Sequence, residues 1–245
     1  MFDRERYERW IAETPPEGRP GVPAATVILL RDCEDGAGGL ETLMLRRNSK
    51  LAFVGGMWVF PGGRVDDADR EGLARNDELA CARRAAVREA GEEAGLDVDE
   101  RTLVPFSHWT PPSMTPKRFL TWFFVARAPH GLVTIDDGEI KAHRWIRPAD
   151  AMARRQAGEI ELAPPTWITL ERLARYASVD DALDRSQAAV PEIYETRIVM
   201  SDTGAVALYD GDAGYEAADA SLAGGRHRLE MRDTGWVYLR DDWTV

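Results

Sequence analysis

Short apolar runs separated by proline and glycine fill most of the chain, and their periods predict its elements. Residues up to Ile11 read as a short helix, stopped by Thr14-Pro15-Pro16-Glu17-Gly18-Arg19-Pro20-Gly21. Ala24 to Arg31 is a β-rich apolar run. Asp35 to Gly39 is turn chemistry, and Leu40 to Arg47 returns as a second strand, so the pair predicts a hairpin. Trp58-Val59-Phe60 is a short apolar stretch that ends at Pro61-Gly62-Gly63, and the Asp-rich stretch from Arg64 to Asp77 predicts a loop. Glu78 to Ala94 is built from strong helix formers and is followed by Gly95, where a left-handed cap is favoured. Leu103 to Trp109, Phe119 to Ala128 and Ile140 to Ile146 predict strands, and helices start at Pro148 and near Pro164-Pro165.

Strands, a central helix, further strands and then helices predict an α/β (α+β) fold, a mixed sheet with helices packed on it. From about Val190 the pattern changes to short strand-like pieces between Asp/Gly turns: Ile198-Val199-Met200, Ala205 to Tyr209, His227 to Met231 and Trp236 to Leu239. The expected organisation is therefore a main domain over 1–189 and a small β-rich appendage over 190–245 packed on it. For the appendage three roles stay open: covering the site, a homodimer contact, or neither.

Composition narrows the function classes. Formal net charge is −11, which argues against nucleic acid as a partner, because such binders gather Lys and Arg on one face. A small phosphorylated substrate remains compatible, since a bound divalent metal supplies positive charge. Cys33 and Cys81 have no partner at ligand spacing and read as buried small hydrophobes. Neither a leader-like apolar region nor a run of roughly 20 apolar residues is visible, so the expectation is a cytoplasmic chain with no membrane partner.

The segment Arg88-Glu89-Ala90-Gly91-Glu92-Glu93-Ala94-Gly95-Leu96 carries the chemistry. On a helix, Glu89, Glu92 and Glu93 share one face. Three like charges there repel, yet carboxylate oxygens are the ligands that Mg²⁺ and Mn²⁺ prefer. Arg88 stands next to them as a bidentate partner. Upstream, Gly62 and Gly63 let backbone come close to a metal or a phosphate. A solvated acidic helix face is the bland alternative; the flanking glycines weigh against it. Arg46 and Arg47 close a strand and either could contact phosphate, but alternation points them to opposite faces, so no more than one is expected to do so. Lys50 and Arg118 are weaker phosphate candidates, and His108 lies before the proline-rich loop. Trp58, Phe60, Trp109, Trp122 and Phe124 read as core.

These residues resemble the Nudix box: Gly, five residues, Glu, seven residues, then Arg-Glu-aliphatic-x-Glu-Glu-x-Gly-aliphatic. Arg88, Glu89, Glu92, Glu93, Gly95 and Leu96 match, and Ala90 replaces a larger aliphatic residue. Between Gly63 and Arg88 lie 24 residues where the pattern has thirteen, so an insertion is expected, at Asp66 to Asp77. Counted back from Arg88, the pattern's first Glu falls on Ala80, with Glu78 nearby. Leu43, Arg47, Leu51, Gly56 and Phe60-Pro61-Gly62-Gly63 are similar to the signature of coenzyme A diphosphatases within that family, with departures at Leu45, Asn48 and Ala52. The longer loop, Arg118 to Phe124 and Leu162 to Thr166 resemble the peroxisomal branch of those enzymes and its bacterial relatives.

The resemblance implies a Nudix-type α/β/α sandwich and metal-dependent hydrolysis of a diphosphate bond in a small nucleotide-linked substrate, with coenzyme A or acyl-coenzyme A as the first candidate. ADP-ribose, NADH or another dinucleotide is the alternative, and a non-catalytic Nudix-fold binding module a third. It further implies Glu89 and Glu93 as main ligands of Mg²⁺ or Mn²⁺, helped by Glu92 and the carbonyl of Gly62. Arg88 would orient these carboxylates, Arg47 with Gly62 and Gly63 would meet the phosphates, and the base would be a box glutamate or Glu139.

Overall fold

In the computed structural model, residues 9, 12–15, 18–34, 38–50, 55–74, 76–232 and 234–241 are described. The helix expected up to Ile11, most of the Asp35–Gly39 turn, the signature positions Leu51 and Ala52, and Asp242–Val245 lie outside the described residues. The chain divides into two compact units, one of residues 23–108 and 121–192, the other of residues 1–22, 109–120 and 193–245. The β-rich C-terminal segment thus shares its unit with two earlier pieces of chain.

The first unit holds β2 (Leu40–Arg47), β3 (Trp58–Val59), β4 (Gly62–Arg64) and β7 (Ile140–Ile146) and most of β1 (Gly21–Asp32), β5 (Val104–Thr110) and β6 (Arg118–Arg127). The sheet path runs β3-β2-β1-β6-β5, with β4 on β1 and β7 on β2. The β1–β2 hairpin is antiparallel, Leu30 opposite Thr42 and Asp32 opposite Leu40. Among the described residues the α-helices are α1 (Glu78–Ala94), α2 (Pro148–Gln156), α3 (Pro164–Leu173) and α4 (Val179–Ala188). None is long and apolar enough to cross a membrane.

Helix α1 is specified at both ends. The Asp77 carboxylate accepts from the N–H of Ala80 at 3.1 Å, satisfying one of the donors a helix start leaves open. At the other end Gly95 sits at φ +66° and the N–H of Leu96 reaches back to the carbonyl of Ala90, a left-handed stop that glycine allows without strain. Its buried stripe is Cys81, Ala82, Ala85, Ala86, Ala90 and Ala94, small side chains that bring the helix axis close to the sheet. They pack with Ala25, Val27, Leu43, Leu45 and Phe124 in the main core.

Several expectations need correction. Gly62 and Gly63 belong to strand β4 rather than to a turn alone, pairing with Thr26 and Ala25 of β1. The polar stretch after them contains a 3₁₀ turn over Ala68–Arg70. Helix α4 and strand β8 (Glu192–Glu195) carry no strong apolar period and escape a pattern reading. Cys81 is buried, whereas Cys33 is only partly so. Trp58 and Trp122 are half-buried, while Phe60, Trp109 and Phe124 lie in the core as expected.

In the second unit, β9 (Arg197–Ser201), β10 (Gly204–Leu208), β11 (His227–Arg232) and β12 (Gly235–Arg240) form an antiparallel sheet in the order β12-β11-β10-β9. The ring of Tyr194 stacks on Trp109 with centroids 3.9 Å apart. Arg118 is tied to backbone here, its Nε donating to the carbonyl of Pro111 at 2.9 Å. A buried ion pair holds the loop before β11: Arg228 donates from Nη2 and Nε to Asp212 at 2.6 and 2.7 Å. The same carboxylate accepts from the N–H groups of His227 and Gly214. Burial pushes the Asp212 carboxyl up, but the Arg228 bonds and the two backbone donors outweigh it and hold the group at about 2. The pair is therefore stabilising above the ordinary value of 3.8, and that contribution is lost as pH falls toward 2. Asp212→Asn, which leaves the Arg228 charge buried, is expected to cost about 3–5 kcal/mol at pH 7. Thermal unfolding from pH 7 to 2 checks this, and the gap between variant and wild type should shrink below about pH 4 as the wild-type carboxyl protonates.

Candidate functional site

The acidic face of α1 meets the glycines of β4. Strand β4 is locked to β1 by the N–H of Val27 donating to Pro61 and that of Val65 donating to Pro23. A Cβ on Gly62 would run into the carbonyl of Ala25 and the side chain of Thr26, and one on Gly63 would run into the carboxylate of Glu89. Glycine at both positions is thus a packing requirement, and it lets a carboxylate lie directly against backbone.

Of the three helix glutamates Glu93 lies deepest, its side chain 7% exposed. Its Oε2 accepts from the N–H of Gly62 at 3.0 Å and its Oε1 from Nη1 of Arg47 at 3.4 Å. Burial pushes its carboxyl up to about 7; the Gly62 N–H pulls down, Glu89 pushes up, and Arg47 pulls down again. Glu89, 14% exposed, is also raised, first by burial, against the pull of Arg88. Glu92 stands at the rim, 60% exposed.

Two arginines face these acids. Arg88 donates from Nη1 to Glu89 at 2.9 Å and to Glu92 at 3.1 Å, and from Nη2 to the carbonyl of Arg64 at 3.0 Å. It closes a fork on Asp69, Nε to Oδ1 at 3.2 Å and Nη2 to Oδ2 at 3.0 Å. The Asp69 bond is the largest cause of the raised Arg88 pKa, ahead of Glu89. Arg47 leaves β2 at a bulge and bridges Glu93 to Glu139, whose Oε2 it reaches from Nη2 at 3.1 Å. The loop bearing Glu139 is pinned by the N–H groups of Glu139 and Ile140 on Asp136 and by Asn48 on the carbonyls of Gly138 and Glu139.

The site therefore gathers Arg47, Gly62, Gly63, Arg88, Glu89, Glu92, Glu93 and Glu139 from β2, β4, α1 and the start of β7. Arg46 and Lys50 are exposed. His108 packs its ring on Trp122, centroids 4.8 Å apart. The residue that sequence reading missed is Asp69, nearly buried at 5% exposure. Counting forward from Gly63 finds it, because five residues separate the two, as in the box pattern, with Asp in place of Glu. Counting back from Arg88 does not, because the insertion follows Asp69: 18 residues lie between Asp69 and Arg88 where the pattern has seven. The insertion is thus later than the Asp66 start assigned to it.

Asp69, Glu89, Glu92, Glu93 and Glu139 face two guanidinium groups, so the site is short of positive charge. Among the described residues no group of three or more His, Cys, Asp or Glu is arranged as a ready-made metal cage; arginines engage the carboxylates instead. The donor set is nonetheless all oxygen, as a hard divalent cation requires. Two of its members, Asp69 and Glu93, are buried, and the Glu89 carboxylate lies closest to the space left by the missing Cβ of Gly63. The residues fit such an ion.

Comparison with known proteins gives a consistent result. The family model described as NUDIX domain matches residues 21–168. A putative nudix hydrolase 7 of Caenorhabditis elegans is 28% identical over 183 residues, covering 57% of this chain and 58% of that protein. A peroxisomal coenzyme A diphosphatase, ndx-8, of the same organism is 33% identical over 94 residues, covering 38% of this chain and 36% of that one. The chain thus spans less than two thirds of either relative. Among solved structures, a NUDIX hydrolase from Alicyclobacillus acidocaldarius superposes with a TM-score of 0.60 at 23% identity, over 67% of this chain and 96% of that chain, which bears out the expected α/β/α fold.

The Asp69–Arg88 fork yields a test that needs no substrate. Asp69→Asn keeps the shape but removes a buried charge-assisted pair, and is expected to lower stability by about 2 kcal/mol. Asp66→Asn, at a half-exposed residue 3.9 Å from Arg88, should change it by less than about 1 kcal/mol. Urea unfolding of both variants measures the difference.

Proposed function

The chain belongs to the NUDIX family, and from that premise we propose that it hydrolyses the diphosphate bond of a small nucleoside diphosphate derivative, with coenzyme A or an acyl-coenzyme A as substrate. The observation that carries the reading is the pair of carboxylates laid against the glycine strand β4, buried Glu93 and half-buried Glu89, with too few cations around them. Burying carboxylates costs free energy unless something compensates, and a fold keeps such a pair where a cation is to be held. The coenzyme A part rests on the matching positions Leu43, Arg47, Gly56 and Phe60 to Gly63 and on the likeness to the ndx-8 diphosphatase.

Glu89 and Glu93, with Glu92 and the carbonyl of Gly62, would hold Mg²⁺ or Mn²⁺. Such an ion neutralises charge on the phosphates and lowers the pKa of water. Arg88 fixes Glu89 and Glu92 from behind through Asp69, so the carboxylates are positioned before substrate arrives. Arg47, at the mouth of the acidic pocket, offers a guanidinium to a phosphate oxygen. Glu139 is the acid whose loop faces that pocket, and it takes the proton from water as general base.

Hydrolysis is tested on the purified chain with Mg²⁺ or Mn²⁺ and coenzyme A, acetyl-coenzyme A, NADH, ADP-ribose and a dinucleoside polyphosphate. Release of adenosine 3′,5′-bisphosphate from coenzyme A is the expected result. Cleavage of another member alone would move the substrate, and no metal-dependent cleavage would sink the reading. Glu93→Gln should lower turnover by about a hundredfold or more, the equivalent of roughly 3 kcal/mol, with its circular dichroism unchanged. A near wild-type rate would remove Glu93 from the ligand set.

A further inference from the structure

The two arginines of the site are committed to very different degrees. Every nitrogen of the Arg88 guanidinium donates, to Asp69, Glu89, Glu92 and the carbonyl of Arg64. With that many bonds it has nothing left to offer a ligand. Arg47 makes one bond at 3.4 Å to Glu93 and one at 3.1 Å to Glu139, and its Nε is buried. Among the described residues that Nε has no hydrogen-bond partner; a buried donor left unpaired is unfavourable, so this placement is poorly satisfied. Its backbone, by contrast, is fixed: the N–H of Arg47 donates to Met57, and its carbonyl accepts from Gly56. Any change of partner is therefore a movement of the side chain alone.

We propose that Arg47 is a stand-in for the divalent cation: it neutralises Glu93 and Glu139 while the site holds no metal, and surrenders Glu93 when the metal binds, which turns its guanidinium toward the substrate diphosphate. The inference rests on the metal-site reading above and adds a linkage to it. Two cations that need the same carboxylate oxygens compete for them, and a coupling of this kind is reciprocal. Deleting Arg47 must therefore strengthen metal binding. A merely structural arginine predicts the opposite, because Glu93 would lose its orientation. An arginine that meets only substrate predicts no change.

Calorimetric titration of the full chain with Mn²⁺ alone, without substrate, separates these cases. Arg47→Gln should bind Mn²⁺ about fivefold or more tightly than wild type. The metal-free variant should melt below the wild type, and saturating Mn²⁺ should narrow that gap, because the ion replaces the missing charge. Arg47→Lys keeps the charge but has no fork to span both carboxylates. It should bind Mn²⁺ with an affinity between the two, and it carries the test if Arg47→Gln does not fold. Unchanged or weaker Mn²⁺ binding in the variants, or no Mn²⁺ binding by the wild type, overturns the proposal. Tighter binding in a protein that cleaves no diphosphate would uphold the linkage and overturn the proposed reaction.

Discussion

Everything at the site depends on one constraint, that a carboxylate on α1 must lie flat against the backbone of β4. The N–H of Gly62 donates to Glu93 at 3.0 Å, and the contact exists only because neither surface carries bulk. The helix faces the sheet with alanines, and the strand carries two glycines in a row. Larger side chains on either element would push helix and strand apart and strand Glu93 in an apolar gap. The pKa of about 7 for Glu93 records the tension, since burial opposes its charge more strongly than Gly62 and Arg47 support it. Such a group gains most from a further cation.

That constraint explains why neutralising these acids takes residues from other elements besides α1 itself. A helix cannot easily compensate glutamates at i, i+3 and i+4 from its own face, because its neighbouring positions are taken by the alanine stripe. Arg88, next in sequence to Glu89, does so only with the help of Asp69 and the carbonyl of Arg64, which turn its fork inward. Arg47 arrives from the end of β2, where strand alternation turns it away from the exposed Arg46 and the pairing with β7 shifts by one residue, Lys141 being skipped on β7. The result is one arginine held rigidly and one held loosely around the same carboxylates.

The central helix was legible to the residue, Glu78 to Ala94, because its limits are chemical: an Asp that caps the start and a glycine that ends it. Strands β2 and β7 were equally legible from their apolar runs. Strand β4 was not, since glycines have no side chain to alternate and its pairing is visible only once β1 is in place. Helix α4 buries Val179, Ala182 and Ser186 among charged residues, too thin a stripe for its period to show. At the site, the box motif marked the acids and Arg88, and the coenzyme A signature marked Arg47. Asp69 was hidden by counting from the wrong end of a loop whose extra residues follow it. Spacing rules locate a residue only on the side of an insertion from which they are counted.

The charge balance also sets an order of events. In the proposed reaction a diphosphate approaching these carboxylates meets Glu92 and Glu139 at the rim, both more than half exposed, in a chain of net charge −11. The guanidinium that would attract it is engaged with Glu93 and Glu139. Repulsion of this kind is felt over about 8 Å at physiological ionic strength and opposes the approach of an anion to Arg47. A divalent cation meets the reverse field and is drawn in. Cation first and anion second is therefore the order that the electrostatics of this pocket favour. Under the proposed linkage the loosely held arginine would make that order productive, because the event that neutralises Glu93 would release the group proposed to meet the phosphate.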